Sequence, residues 1–403
     1  MEKKKSESSW KILVTIIVTA FITFILTSVG VIRIMNNNEN YYIKNSKTET
    51  SSLETTLKNF KNVLEKKYIG EINEEKMIDS AIKGYIAGLG DPYTEYLTKE
   101  EMQEFTEDTQ GEYVGIGIYT TNDTEKNAIV VLRTIGNSPA NKAGLLTGDI
   151  ITKVNDVSYK GEQLSEAVKQ MKGKAGTDVK ITILRNNQEM EFNITRENIK
   201  ISHVSSNVLE NSIGYIKISS FEGGCANEFK EKYNEIKNKN IKSLIIDLRY
   251  NGGGIVNEAL EIADLMVPKD DILLITKDKN EEEEITKAKK DEEISIPIVV
   301  LVNEYSASAS EILAGILKED INATLIGKKT YGKGVIQTVY TLSDGSGLKI
   351  TTNEYYTPKR NKINKVGIEP TIEVNLPEEF QNTANVSAEQ DTQLKRAIEE
   401  LTK

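Results

Sequence analysis

PIVVLVNEYSASASEILAGIL, residues 297–317, changes its hydrophobic period halfway along. The first part, PIVVLV, is an unbroken apolar run rich in β-branched residues, the pattern of a strand buried on both faces. The second, SASASEILAGIL from Ser306, opens on small hydroxyl residues and continues in helix formers. Asn303, Glu304 and Tyr305 therefore mark a strand-to-helix junction, where unpaired helix amides point outward. On either side the alternation repeats: IGYIKISSF (213–221), KSLIIDL (242–248), a helical pattern over 255–266, the quoted strand, a helix over 307–317, and ATLIG (323–327). That order predicts an α/β core.

Upstream, from about Glu112 to Glu197, the period becomes two, with VGIGIYT, AIVVLR, DIITKVN, DVKITIL and EMEFNIT as five strand candidates. Two short helices interrupt them, one starting near Ser138-Pro139 and one over 162–172 with Leu164, Val168 and Met171 on one face. This is a compact module large enough to be a separate domain. Before it, Leu53, Leu57, Phe60 and Leu64 share one helical face, a second helix carries Met77, Ile78, Ala81, Ile82 and Tyr85, and Thr98 with Glu101 forms a capping box for a third. The charge-dense segment 277–293, EEEE included, reads as a solvated loop insertion. Leu394, Ala397, Ile398 and Leu401 describe a closing amphipathic helix suited to docking on a partner subunit.

The chain has 403 residues, enough for two or three domains, and its 51 basic against 61 acidic side chains give a formal charge of −10. That balance speaks against a surface built for nucleic acid. One cysteine, Cys225, and one histidine, His203, exclude an intrachain disulfide and a Cys/His zinc site of ordinary ligand count. Residues 12–32 carry no charge and are long enough to span a bilayer, and Lys3, Lys4, Lys5 and Lys11 precede them. We read a retained anchor with the N-terminus cytoplasmic and the remainder outside, since no A-x-A-like cleavage site follows. Residues 35–52 read as a polar tether.

On spacing alone, Ser306, Ser308 and Ser310 at the junction read first as capping residues, with a nucleophile as the alternative. A hydroxyl attacks a carbonyl only if a base takes its proton. His203 sits in a polar connecting segment, ISHVSSN, with no partner for a Ser-His-Asp triad. Lysine serves when burial lowers its pKa, and Lys333, between Gly332 and Gly334 in TYGKGVIQTVY, has apolar and aromatic neighbours; Gln337 lies four residues on, within reach to orient the amine. A turn lysine is the bland alternative. Asp247-Leu248-Arg249-Tyr250-Asn251-Gly252-Gly253-Gly254 runs from a strand end into three glycines, which lets main-chain amides approach a ligand as an oxyanion hole requires, with Asp247 and Arg249 as an internal ion pair.

Taken together these segments resemble the carboxyl-terminal processing peptidases, or tail-specific proteases. GDPYTEYL (90–97), GIGI (115–118), SPANKAGLLTGDIITKVN (138–155), GYIKISSF (214–221), DLRYNGGG (247–254), SASASEILAG (306–315), GKKTYGKGVIQ (327–337) and YYTP (355–358) carry the likeness. It implies a crotonase/ClpP-like α/β protease core with an inserted PDZ domain and a Ser-Lys dyad. Together with the residue patterns above, it gives an organisation of a cytoplasmic N-terminus (1–11), a transmembrane anchor (12–32), a linker (33–52), an N-terminal helical region (53–111), a PDZ-like domain (112–198), a peptidase core (199–376) and a C-terminal linker and helix (377–403). The resemblance makes Ser308 the nucleophile, Lys333 the general base and Gln337 the residue that steadies it. The oxyanion donors it implies are the amides of Ala309 and of Gly253 or Gly254.

Gly115, Ile116, Gly117 and Ile118 would capture a free carboxylate with their amides, and Ile116, Ile118, Leu164 and Val168 would offer an apolar pocket to the last side chain. Two departures from the family pattern are Gly252 in place of a proline and Lys172 in place of an arginine. The expected activity is a membrane-anchored serine endopeptidase that recognises free, apolar C-terminal tails of extracytoplasmic proteins. The alternative is a catalytically silent PDZ scaffold. A penicillin-recognising hydrolase is set aside because no S-x-x-K opens a helix. No metal or organic cofactor is implied, and amphipathic helices at both ends leave self-association open.

Overall fold

A computed structural model describes residues 52–110, 112–291, 293–380 and 386–403. The anchor expected at 12–32 lies outside the described residues, among which no helix is long and apolar enough to cross a membrane. The chain divides at Ile78 into two units. In the first, the helix Leu53–Lys67 starts at Ser52, whose hydroxyl accepts the Thr55 amide at 3.3 Å, and it buries none of its side chains. A second helix spans Glu74–Ala87. The expected capping box is present in the second unit: Thr98 N donates to Glu101 Oε2 at 2.9 Å and Glu101 N to Thr98 Oγ1 at 3.2 Å, opening the helix Lys99–Gln110.

The period-two region folds as an antiparallel sheet in the order Ile118–Asp123, Ala128–Thr134, Ile150–Val154, Asp178–Arg185, Gln188–Thr195, around a core that includes Ile129, Ile151, Ile181 and Ile183. VGIGIYT is not one strand. Gly117 takes φ +76° and splits it, because an added Cβ would lie 2.3 Å from Ser138 Cβ. The N-terminal piece, Glu112–Gly115, turns aside to pair with Glu197–Lys200, so the chain enters and leaves the module side by side.

The core sheet runs Val204–Val208, Ile213–Ile218, Ser243–Asp247, Ile298–Val302, Thr324–Gly327, Ile372–Glu373, parallel except for its first pair. Period-two alternation sorts its side chains. Leu244, Ile246, Val300 and Val302 face the helices Cys225–Lys237, Val256–Ala263 and Ala309–Asp320. Ile245, Val299 and Leu301 face Leu394 and Ala397 of the last helix, Thr392–Leu401. That helix thus covers its own sheet and spends its apolar stripe there, where a partner subunit was expected. The segment 277–293 also departs from expectation: Glu283–Lys287 is a strand of a hairpin with Ile272–Lys277, its two carboxylates exposed and Glu283 paired with Lys277 and Arg360. A second sheet sets Glu95–Leu97, Ile272–Lys277 and Val335–Thr341 against the long strand Gly347–Tyr356.

Candidate active site

The junction quoted at the outset is a tight turn. Ser306 Oγ donates to Leu248 O at 2.8 Å and accepts from Asn303 N at 3.0 Å, and Ser310 Oγ donates to Asn251 O at 2.9 Å. These two hydroxyls are consumed in tying the turn to the glycine loop. Ser308, between them, takes φ +55° and ψ −118°, a conformation that non-glycine residues rarely adopt and that marks functional turns. It is 7% exposed and lines a cleft of about 480 Å³ together with Lys333, Gln337, Gly252, Gly254, Phe105 and Ile255. His203 is not among the lining residues; it is buried beside Glu228, with its Nε2 unpartnered among the described residues.

Glycine is required at position 253. Its φ is +104°, and a Cβ there would stand 2.7 Å from both Ala307 O and Ser308 Cβ. The Gly253 amide donates to Asn251 Oδ1 at 2.8 Å, because Asn251 closes a side-chain turn over the loop. Of the donors expected from sequence, those of Ala309 and Gly254 have no hydrogen-bond acceptor among the described residues. The loop is braced from behind. Arg249 pairs with Asp247 at 2.7 Å and with Asp391 at 2.8 Å, all three buried, and Tyr215 donates its hydroxyl to Asp247 at 2.7 Å. Burial pushes the Asp247 carboxyl up, but Arg249 outweighs it and holds the group below its usual value.

Lys333 is clamped through its main chain: its N–H donates to Glu311 Oε2 at 2.9 Å, and its carbonyl accepts the buried Tyr355 hydroxyl. Glu311, fully buried, also accepts Ser308 N at 2.9 Å, Gly332 N at 2.7 Å and Thr330 Oγ1 at 2.5 Å. Burial raises its pKa against the pull of those donors. Glu311 lies in the motif SASASEILAG without a chemistry of its own in the sequence, and Ser308-x-x-Glu311 is the capping-box spacing that singles it out.

Burial first, and the Lys349 ammonium second, hold the Lys333 amine below the ordinary lysine value, with Asp91 pulling the other way. Lys333 Nζ lies 4.6 Å from the centre of the Tyr93 ring and makes no hydrogen bond or ion pair among the described residues. Gln337 lines the same cleft, but its amide donates to Thr351 Oγ1 at 3.3 Å. Tyr93 and Tyr355, both in motifs quoted from sequence, are further residues whose place beside the lysine only the fold reveals. Among the described residues no group of three or more His, Cys, Asp or Glu is placed to hold a metal ion.

In the period-two module, Ile116 is 2% exposed and belongs to the core, whereas Ile118, Leu164 and Val168 are half-buried against it. The amides of Ile116 and Gly117 have no acceptor among the described residues, while their carbonyls hold Ala140 N and Ile135 N at 2.9 Å each. Lys172 pairs with Glu107 at 3.2 Å, linking the module to the helix Lys99–Gln110, whose Phe105 and Thr109 reach the cleft.

Comparison with known proteins agrees with this layout. Residues 212–374 match the model of peptidase family S41, 114–195 that of the PDZ domain, and 16–101 that of the activating protease CtpB N-terminal domain. The carboxy-terminal processing protease CtpA of Bacillus subtilis (strain 168) is 34% identical over 93% of this chain and 78% of its own length. A CtpA-like serine protease of Staphylococcus aureus (strain MRSA252) is 35% identical over 91% of this chain and 73% of its own. Among solved structures, an S41 protease from Bacteroides fragilis NCTC 9343 shares the fold, with a TM-score of 0.53 at 16% identity, covering 83% of this chain and 91% of that one. With a strained serine and a desolvated lysine in one cleft beside a PDZ module, the chain belongs to peptidase family S41 and is a serine-type carboxyl-terminal processing endopeptidase.

Proposed function

We propose that Ser308 is the nucleophile and Lys333 the general base of this peptidase, in a protein anchored by residues 12–32 with its catalytic part outside the cytoplasm. The observation that carries the dyad is that both residues line one cleft while their main-chain amides share one carboxylate oxygen of Glu311. The neutral amine takes the Ser308 proton as Oγ attacks the substrate carbonyl, and the resulting ammonium gives that proton to the leaving amine. Water, deprotonated by the same amine, then releases the acyl group. The amides of Ala309 and Gly254 receive the oxyanion. Gln337 steadies the amine from the neighbouring strand.

The PDZ module selects substrate. Its free amides at Ile116 and Gly117 suit a terminal carboxylate, and Ile118, Leu164 and Val168 suit an apolar last side chain. Full-length protein in detergent micelles, given an unstructured protein ending in an apolar residue, is expected to cleave it. Ser308→Ala and Lys333→Ala each abolish cleavage, and amidation of the substrate terminus slows it. Cleavage that survives Lys333→Ala and disappears in His203→Ala would end the dyad assignment; equal rates on free and amidated tails would end the carboxylate claim.

A further inference from the structure

GDPYTEYL, residues 90–97, is a turn that runs into the strand Glu95–Leu97. Asp91 Oδ1 accepts the Tyr93 amide at 3.1 Å and Oδ2 accepts the Thr94 hydroxyl at 2.6 Å. Thr94 Oγ1 in turn accepts Thr351 N at 3.0 Å, and Glu95–Leu97 pairs with Gly347–Tyr356. That long strand also pairs with Val335–Thr341, which begins two residues after Lys333. The turn and the lysine are thus fixed to one sheet, and the side chain the turn presents to the amine is the half-buried ring of Tyr93, 4.6 Å from Lys333 Nζ.

We propose that Tyr93 is a positioning residue for the reaction, its ring face holding the charged form of Lys333 and releasing the neutral form to Ser308. This rests on Lys333 being the base. An aromatic face attracts an ammonium through its quadrupole and has no comparable hold on a neutral amine, so the ring discriminates between the two protonation states of one side chain. Asp91 favours the charged lysine from a distance, but its oxygens are occupied by Tyr93 N and Thr94 Oγ1 and make no ion pair with it among the described residues, so the contact that favours the ammonium is the ring at 4.6 Å. The remaining charged neighbour, Lys349, is itself paired with Glu95 at 2.7 Å and repels Lys333. Each turnover converts amine to ammonium and back, and Tyr93 sets the pH at which the resting enzyme has a free amine.

The test is the pH dependence of Ser308 modification by a small fluorophosphonate, measured on the full chain in detergent. Tyr93→Leu is expected to move the midpoint of the rising limb down by about 0.4–1.5 pH units, the range of a cation–π attraction expressed as a pKa change. Tyr93→Phe, which keeps the ring and loses the hydroxyl, leaves the midpoint where it was. A merely structural role lowers the limiting rate and does not move the midpoint. Should Tyr93→Leu lose cooperative unfolding, Tyr93→Met carries the same comparison with a more adaptable side chain. An unmoved midpoint in the ring-less variant, or an equal shift in Tyr93→Phe, overturns the proposal. Lys333→Ala separates the two readings: if it labels with the wild-type pH profile, the base assignment fails, and if it does not label while Tyr93→Leu is unmoved, the role of Tyr93 alone fails.

Discussion

The main-chain N–H of Lys333 and the carboxylate of Glu311 meet at 2.9 Å, on the same oxygen that accepts the amide of Ser308. One buried side chain thereby sets the distance between two loops that are far apart in sequence. Glu311→Gln keeps the volume but turns an NH2 group toward some of the four donors, leaving buried groups unpaired at about 1–3 kcal/mol each. The expected result is a folded protein with a lower melting temperature and peptidase kcat reduced on the order of 100-fold, as an ångström-scale misplacement produces. Wild-type kcat in the variant would show that the shared carboxylate has no part in aligning the site.

Lys333 links stability and, as the proposed base, activity to pH, and both gain as the amine loses its proton. Its folded-state pKa lies below the ordinary 10.5, so the native protein binds fewer protons than the unfolded chain between those values and gains stability as pH rises through that window. Lys333→Met removes the desolvated charge. It is expected to raise the melting temperature at pH 7 while abolishing cleavage, and the advantage should shrink to nothing as pH approaches 10.5. A difference independent of pH, followed by differential scanning calorimetry from pH 6 to 10.5, would show that the amine is as well solvated folded as unfolded.

Gly253 tests the geometry from the other side of the cleft. A methyl group at this position meets Ala307 O and Ser308 Cβ at 2.7 Å, on a backbone with φ +104° that L-residues avoid. Gly253→Ala must therefore shift the nucleophile turn, and modification of Ser308 by fluorophosphonate should slow by at least about 100-fold. Gly252, by contrast, has nothing within 4 Å of its Cβ position. Gly252→Ala is expected to react at a rate near wild type, and a loss matching that of Gly253→Ala would refute the steric explanation.

Patterns with a strong period were legible in the sequence. The α/β order, the antiparallel module, the Thr98–Glu101 box and the Asp247–Arg249 pair all follow from local signals, and each is present. What was not legible depends on which distant segments meet. VGIGIYT alternates as one strand, yet the approach of Ser138 to Gly117 breaks it. The stripe Leu394, Ala397, Ile398, Leu401 announces a buried face without saying whose, and Ile245, Val299 and Leu301 of the same chain supply the answer. Glu281 and Glu282 lie in the connecting loop and Glu283 and Glu284 in an exposed edge strand that carries little apolar signal, so EEEE reads as loop, and the register of the last two with Thr276 and Lys277 becomes evident only in three dimensions. At the site, the motifs single out Ser308 and Lys333, and the capping-box spacing ties Glu311 to Ser308, whereas the contacts of Glu311 and of Tyr93 with Lys333 span roughly 20 and more than 200 residues, a relation no spacing rule encodes.

The last helix has a double attachment that separable substitutions can resolve. Asp391 is its N-cap, accepting Leu394 N at 2.9 Å, and it also accepts from Arg249 at 2.8 Å and 3.0 Å. Asparagine caps a helix as well as aspartate does, so Asp391→Asn preserves the cap and removes only the negative charge facing the guanidinium. Losing a charged hydrogen bond costs about 1.5–3 kcal/mol, and Asp391→Ala should cost about 1 kcal/mol more by losing the cap too. Urea midpoints at pH 7 should fall in the order wild type, Asn, Ala. Arg249 opens the turn that ends in Gly254, so kcat, measured well below the unfolding transition, should decline already in the asparagine variant and no further in alanine. If both midpoint and kcat of Asp391→Asn match wild type, Asp247 and Gln393, whose Oε1 accepts Arg249 Nη1 at 2.9 Å, suffice to hold Arg249, and the Asp391 charge has no part in bracing the glycine turn.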